Sequence, residues 1–381
     1  MTFRSFIFWP HLVCGVAAGV VILIMSATGV LLTYEKQMIA WADRQRMPAV
    51  SSDARAVAIA DMVRAVHTAT GDTPASIAVP ARPGEPALVM VGQRRVLVDP
   101  RTGQVLGDSA PRLRAFFRSV TDWHRWLALA GQQRALGKAV TGWANLIFAF
   151  IVLSGMYLWL PRVWKWRQVR PIVWFRGGLR GKARDFNWHN AIGIWSSIPL
   201  FLVVISALPI SIPWASTLVY RMAGEVPPAA APRPAASAEP AGASTSLPLD
   251  GLDAAWGQAI ARAEGWRLIT LRVPATDAAP FVFTIDRGYA GQPQLRGTLT
   301  VPRDASQSVK WDTFDAQSPG RRARSISRFL HTGEILGLPG QTVAGLVSLG
   351  GVVLVWTGLA LTWRRFRAWR ARGVDRESIA A

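Results

Sequence analysis

The chain has 381 residues, with 43 Lys and Arg against 23 Asp and Glu for a net charge of +20, half of its residues apolar, 18 Trp, five His and one Cys. Charged residues are only 17% of the total, against ~25% in soluble proteins, and a nucleic-acid binder would carry its cations as a stripe on a polar domain, so the composition points to a membrane and away from nucleic acid. The single Cys excludes a disulfide framework, an iron–sulfur cluster held by this chain alone and a thiolate zinc site.

Four runs without Lys, Arg, Asp or Glu are long enough to cross ~30 Å of hydrocarbon as helices. They are residues 12–34, 139–160, 190–214 and 341–363. The first exceeds a signal-peptide apolar region and reads as an uncleaved anchor. The spans divide the chain into a short N-terminus with the first span (1–34), an outer domain (35–138), a basic loop (161–189), a second outer domain (215–340) and a basic tail (364–381). Their net charges are +6, +7, +2 and +4 for residues 35–138, 161–189, 215–340 and 364–381, and Arg4 adds +1 at the N-terminus. The short segments are the densely basic ones, which places them, with both termini, in the cytoplasm by the positive-inside rule. The Arg/Trp clusters behind the second and fourth spans read as membrane anchors.

The expected fold is an α-helical membrane protein: four transmembrane helices in a pseudo-twofold duplicated bundle, with two small α+β outer domains. In the first domain residues 53–70 have helical apolar spacing. Short strand-like runs follow at 76–79, 87–91, 96–98 and 105–106, with Asp99-Pro100-Arg101-Thr102-Gly103 as a turn. In the second, residues 252–264 read as a helix and 269–273, 281–286, 295–301 and 308–311 as strands. Residues 224–248, rich in Pro and Ala, read as a flexible linker.

Internal similarity supports the duplication. A shift of 178 maps His11, Gly15 and Thr28 onto His189, Gly193 and Ser206; a shift of 203 maps Ser154-Gly155 onto Thr357-Gly358, with His124 and His331 paired after a four-residue gap. Each half thus reads His, span, outer domain, His, span, basic exit. The topology makes two pairs, His11 with His189 toward the cytoplasm and His124 with His331 toward the outside. His67 has no counterpart and reads as structural. Zinc wants three or four protein ligands, whereas haem needs one or two axial ligands and a flat apolar slot. Gly15 and Gly193, one turn after His11 and His189, serve equally as room for a porphyrin edge or as close helix packing. Thr28-Gly29 and Ser206-Ala207 share the depth of His124 and His331; Ser154-Gly155 and Thr357-Gly358 share that of His11 and His189. Arg125 and Arg328 suit either haem propionates or lipid phosphates. Arg321, Arg322 and Arg324 form a basic cluster suited to lipid headgroups or an anionic chelate.

The repeated His-x-x-x-Gly, the VLVDPRTGQVLGD run and the entries WHRWLAL and RFLHTGEILGL resemble the PepSY-associated transmembrane proteins, in particular the FoxB-like inner-membrane ferrisiderophore reductases. The resemblance implies a multi-pass protein of a bacterial inner membrane with PepSY-like outer modules, the first with its core at about residues 53–107. It also implies haem b, two per chain with bis-His ligation, and reduction of an imported ferric siderophore to release Fe(II). Carried over by position, the iron ligands are His11, His189, His124 and His331, with Gly15, Gly193, Gly29, Gly155, Gly358, Arg125 and Arg328 lining the cofactor sites. Ala207 departs from the expected Gly, and the second outer domain lacks a clear DPxTG turn. No GxGxxG or P-loop pattern is present, so the electron donor is a quinol or a separate reductase. Two other functions fit the sequence: a haem conduit to another acceptor, and a non-redox PepSY sensor whose histidines are interfacial anchors.

Overall fold

The structure is a computed structural model and describes residues 2–48, 57–228, 247–288 and 291–380. The start of the expected first-domain helix (53–56) and most of the expected linker (229–246) lie outside the described residues. The helices are α1 (Phe3–Leu32), α2 (Glu35–Arg44), α3 (Ile59–Thr70), α4 (Pro111–Trp126), α5 (Arg134–Trp159), α6 (Trp166–Val173), α7 (Gly181–Ser211), α8 (Pro213–Met222), α9 (Leu252–Arg262), α10 (Pro319–His331) and α11 (Gly337–Ala380). The strands are β1 (Ser76–Pro80), β2 (Ala87–Val91), β3 (Arg94–Val98), β4 (Val105–Asp108), β5 (Leu268–Arg272), β6 (Phe281–Asp286), β7 (Arg296–Val301) and β8 (Lys310–Thr313). They form two compact units, one of Met1–Thr33, Phe117–Leu218 and Ser327–Ala381, the other of Tyr34–Phe116 and Val219–Ile326.

The first unit is a helical bundle. Its long helices α1, α5, α7 and α11 coincide with four segments apolar and long enough to cross a membrane. They pack as a ring: α1 and α7 each lie against α5 and α11. Small residues allow the close approach, as where Gly351 of α11 faces Ser26 of α1 and Gly19 of α1 faces Leu359 of α11. Asn145 of α5, buried inside, donates to the Val204 carbonyl of α7 at 3.0 Å. Large apolar side chains point outward, with Trp143, Trp195 and Trp356 all exposed. Water would penalise such a surface, and lipid tails accept it. The helices outrun the charge-free spans, since α7 begins at Gly181 and not near 190. It stops at Ser211, three residues short of the expected 214, because Ile212 precedes Pro213 and is forced into an extended conformation.

The second unit carries every expected strand, and the strands expected in two separate domains form one antiparallel sheet of order β4-β3-β2-β1-β5-β6-β7-β8. The seam is β1 against β5, five residue pairs from Ser76–Arg272 to Pro80–Leu268. Outward from that seam the two sets of four strands run in the same sequence order. Sequence could not reveal the seam, because edge pairing leaves no local pattern. One core, including Val63 and Val66 of α3, Leu252 and Ala259 of α9, and Ile77, Ile269 and Phe283 of the sheet, covers both halves.

The turn after β3 forms as its residues require. The Asp99 carboxylate, fully buried, accepts from the backbone N and Nε of Arg101 at 2.9 and 3.0 Å and from its Nη2 at 2.9 Å. Gly103 closes the turn with φ +72° and donates to the Asp99 carbonyl. Burial pushes the carboxyl up, but the hydrogen bonds and charge of Arg101 outweigh it and hold the pKa below the ordinary Asp value. A depressed folded-state pKa stabilises above the unfolded value, ~3.9, and that stability is lost as pH falls through the folded value. Asp99→Asn should therefore lower the stability of the strand unit by about 2 kcal/mol at pH 7. The gap between variant and parent in thermal melts should narrow below pH 4; an equal gap at pH 7 and pH 3 would exclude the ionised carboxylate as the cause.

Candidate functional site

All four span-end histidines lie in the bundle, and each is held through Nδ1 by a neighbouring helix. His11 of α1 meets Ser154 Oγ of α5 at 2.8 Å. His189 of α7 meets Thr357 Oγ1 of α11 at 3.0 Å. His124, at the end of α4, meets the Met25 carbonyl and Thr28 Oγ1 of α1, both at 3.0 Å. His331, ending α10, meets the Val203 carbonyl of α7 at 2.9 Å. A carbonyl can only accept, so Nδ1 carries the proton in His124 and His331 and Nε2 is left with a free lone pair. Ser154 and Thr357 hydroxyls already donate to carbonyls one turn back, Phe150 at 2.7 Å and Val353 at 2.7 Å, so they too are disposed to accept from Nδ1–H. Among the described residues no hydrogen bond engages any of the four Nε2 atoms.

The hydroxyl partners belong to the small-residue pairs singled out in the sequence, and the glycine of each pair seats the same ring. A Cβ on Gly155 would stand 3.3 Å from His11 Cε1, one on Gly358 3.4 Å from His189 Cε1, and one on Gly29 3.6 Å from His124 Cε1. Three seats thus share one construction, a hydroxyl for Nδ1 and a bare Cα for the ring edge. The fourth differs where the sequence departs from the pattern. Ala207 is buried, His331 takes a backbone carbonyl, and the Ser206 carbonyl receives Ser327 Oγ at 2.8 Å.

These contacts revise the glycine roles. Gly29, Gly155 and Gly358 touch histidine rings, whereas Gly15 has open space where a Cβ would stand and Gly193 meets only Leu354 at 3.7 Å. Gly15 and Gly193 both line a cavity of about 1230 Å³ that also reaches His11 and His189. Arg125 stacks on the indole of Trp126 at 4.5 Å, which Arg134 also faces at 3.5 Å. Arg328 lies 5.6 Å from the Phe329 ring. Among the described residues neither Arg125 nor Arg328 has an ion-pair partner. His67 bonds the nearby Asp72 carbonyl at 2.9 Å and takes no part in the bundle.

Three glycines that the sequence did not mark deliver the second histidine pair. A Cβ on Gly137 of α5 would collide with the Trp126 carbonyl, two residues after His124. A Cβ on Gly333, two residues after His331, would collide with the Gly340 carbonyl of α11, and one on Gly340 with the Gly333 carbonyl. In both halves the connector behind the histidine therefore runs directly against the next membrane helix. After His124 the reversal holds Leu127 and Ala128 at φ +53° and +58°, a left-handed conformation that L-residues adopt at a cost of ~1–2 kcal/mol each. The shift of 203 that maps Ser154-Gly155 onto Thr357-Gly358 also maps Gly137 onto Gly340, and that was the available signal.

The pairs can be tested against the group they would hold. The His124 and His331 ring centroids are 6.1 Å apart with planes inclined by 40°. An atom bound ~2 Å from one nitrogen of each of two facing imidazoles requires centroids roughly 6 Å apart. Among the described residues no three of His, Cys, Asp or Glu gather into a metal site. A donor set of two imidazoles suits a metal that brings its other ligands with it, as haem does. The large apolar cavity suits the same group beside His11 and His189. Along α1, His11 and Thr28 are 17 residues apart, roughly 26 Å, so the pairs occupy opposite ends of the bundle.

Fold and site define a membrane protein of four apolar helices that carries a pair of histidines at each end of the bundle. The PepSY-associated TM region family matches residues 8–365, nearly the whole chain, and the chain belongs to that family. No curated protein matched the chain.

The glycine geometry orders a substitution series. Gly137→Ala and Gly340→Ala should each destabilise the bundle by roughly 1–3 kcal/mol, as overpacking against backbone does. Gly15→Ala should be neutral or stabilising by up to ~1 kcal/mol from helix propensity. Melting in detergent or nanodiscs reads the order, and Gly15→Ala as damaging as Gly137→Ala would contradict it.

Proposed function

We propose that the protein is a haem-dependent transmembrane electron carrier that reduces ferric siderophores, or ferric chelates like them, on the outer face of a bacterial inner membrane and releases Fe(II). The carrying observation is the set of four histidines with Nδ1 engaged and Nε2 free, placed as one pair at each end of a membrane bundle. In this reading His11 and His189 hold one haem b and His124 and His331 the other. The basic segments 161–189 and 364–381 put the first pair on the cytoplasmic side. Held by these two histidine pairs, haem would supply one-electron chemistry, which suits electron transfer.

The chain's own residues do the remaining work. Ser154, Thr357 and Thr28 fix the imidazole tautomer and plane, which sets ligand basicity and holds the rings still during electron transfer. Gly29, Gly155 and Gly358 let each ring lie against the facing helix without displacing it. Arg125 and Arg328, lacking carboxylate partners among the described residues, are available to donate charge-assisted hydrogen bonds to haem carboxylates. Reduction releases iron because hard-oxygen chelators favour Fe³⁺, and Fe²⁺ lies low in the divalent affinity order.

A pyridine haemochrome assay on protein expressed with haem available should give about two haems per chain. His11→Ala or His189→Ala should disturb one of them, and His124→Ala or His331→Ala the other. Colourless wild-type protein ends the redox reading. Dithionite-reduced protein, mixed without oxygen with ferric siderophores, should be reoxidised; if every ferric chelate leaves the haem reduced, the reductase reading fails while the electron carrier stands. Ser154→Ala should keep its haem but shift the midpoint potential of one centre, with Ser154→Thr restoring it; an unmoved potential would remove the hydroxyl from tuning.

A further inference from the structure

We infer that the cavity beside His11 and His189 is also the docking site of the electron donor, and that this donor is a reduced flavin nucleotide; the inference rests on the reading of those two histidines as cofactor ligands. At about 1230 Å³ the cavity exceeds the ~300–1,000 Å³ that holds a drug-sized molecule, leaving room beside the cofactor. Its wall includes Phe8, Trp9, Trp159 and Phe186, flat surfaces on which an aromatic ring system stacks.

The charge of the lining is one-sided. Arg4, Arg162, Lys182, Arg364, Arg365 and Arg372 reach the cavity, and among the described residues no Asp or Glu lines it. Two of these cations are engaged, Arg4 with the Leu158 and Leu160 carbonyls and Arg364 with the buried Asp185 at 2.8 Å. Arg365 lies over Phe8 and Trp9 at 5.1 Å from each ring. Arg162, Lys182 and Arg372 are exposed and without an ion-pair partner among the described residues. Even with the cofactor's carboxylates answered, the remaining cations call for a further anion.

Chemistry narrows the class of donor. A quinol is neutral and leaves the cations of the lining unanswered. A nicotinamide donor passes a hydride, whereas the cofactor that His11 and His189 would hold would take electrons singly. A flavin mononucleotide is planar, carries a phosphate and gives up its electrons singly. The balance closes: FMNH2 becomes FMN with loss of two electrons and two protons. The electrons convert two Fe(III) to Fe(II), so two ferric chelates are reduced per flavin, and the protons leave to water at the cavity mouth.

The test titrates FMN, with riboflavin as the uncharged control, into haem-loaded full-length protein in phosphatidylcholine nanodiscs, read by flavin fluorescence. FMN should bind saturably, with riboflavin about tenfold weaker or more, the worth of one charge-assisted contact. The triple variant Arg162→Ala, Lys182→Ala, Arg372→Ala should lose FMN affinity by a similar factor, with haem content and elution volume unchanged to show that it is folded. No FMN binding, equal binding of the two flavins, or an unaffected triple variant overturns the inference. So does suppression of binding in phosphatidylglycerol nanodiscs, which would assign the cations to lipid phosphate. Haem content separates the two readings: red protein that ignores FMN refutes the flavin alone, and colourless protein that binds FMN refutes the haem while the anion site stands.

Discussion

Each histidine in the bundle is held by its Nδ1, and that single interaction ties together the helix packing, the small-residue pairs and the chemistry of the site. A histidine ring free to rotate about χ1 and χ2 is a poor ligand, because its lone pair samples many directions and ordering it costs side-chain entropy. Here the entropy is removed before any ligand arrives. The acceptor for each ring lies on a different helix from the ring itself, Ser154 on α5 for His11 and Thr357 on α11 for His189. Each bond therefore forms only when the two helices it joins have packed. The same requirement accounts for the glycines, since a side chain at Gly155 or Gly358 would push the imidazole off the helix that anchors it.

The two ends of the bundle solve one problem by different means. His11 and His189 sit inside long helices and reach their seats by helix packing alone. His124 and His331 close separate helices, α4 and α10, and must be carried against the bundle by the connectors behind them. There the backbone itself makes the contact, through Gly137 in one half and Gly333 with Gly340 in the other. The first connector uses Leu127 and Ala128 in left-handed conformations where the second uses Gly333. Strain of that kind persists only where surrounding contacts over-determine the chain, as they do beside His124.

The sequence made most of the elements legible, and each success had a local cause. Charge-free length marked the four spans, short runs rich in β-branched and aromatic residues marked strands such as Phe281–Asp286, and Asp99 through Gly103 carried complete turn chemistry. The recurrence of His with small residues marked which side chains belong together. The helices α4 and α10 were not read from the sequence, although each opens on a start signal, Pro111 in one and Ser318-Pro319 in the other. The end of α7 was misjudged because apolarity continues past Ser211 while Pro213 ends the helix.

What the sequence determined by itself was therefore the set of parts: a membrane protein, four spans, eight strands, four histidines at span ends and the hydroxyl-glycine pairs at matching depths. These rest on composition and periodicity, which are properties of neighbouring residues. Tertiary structure decided how the parts meet. It joined the strands of two loops into one sheet through β1 and β5, made the hydroxyls of Thr28, Ser154 and Thr357 partners of Nδ1, and set Gly15, which the sequence left between helix packing and cofactor room, in a cavity wall. Each of those outcomes depends on residues about a hundred or more positions apart, and no local pattern encodes a distance across the bundle.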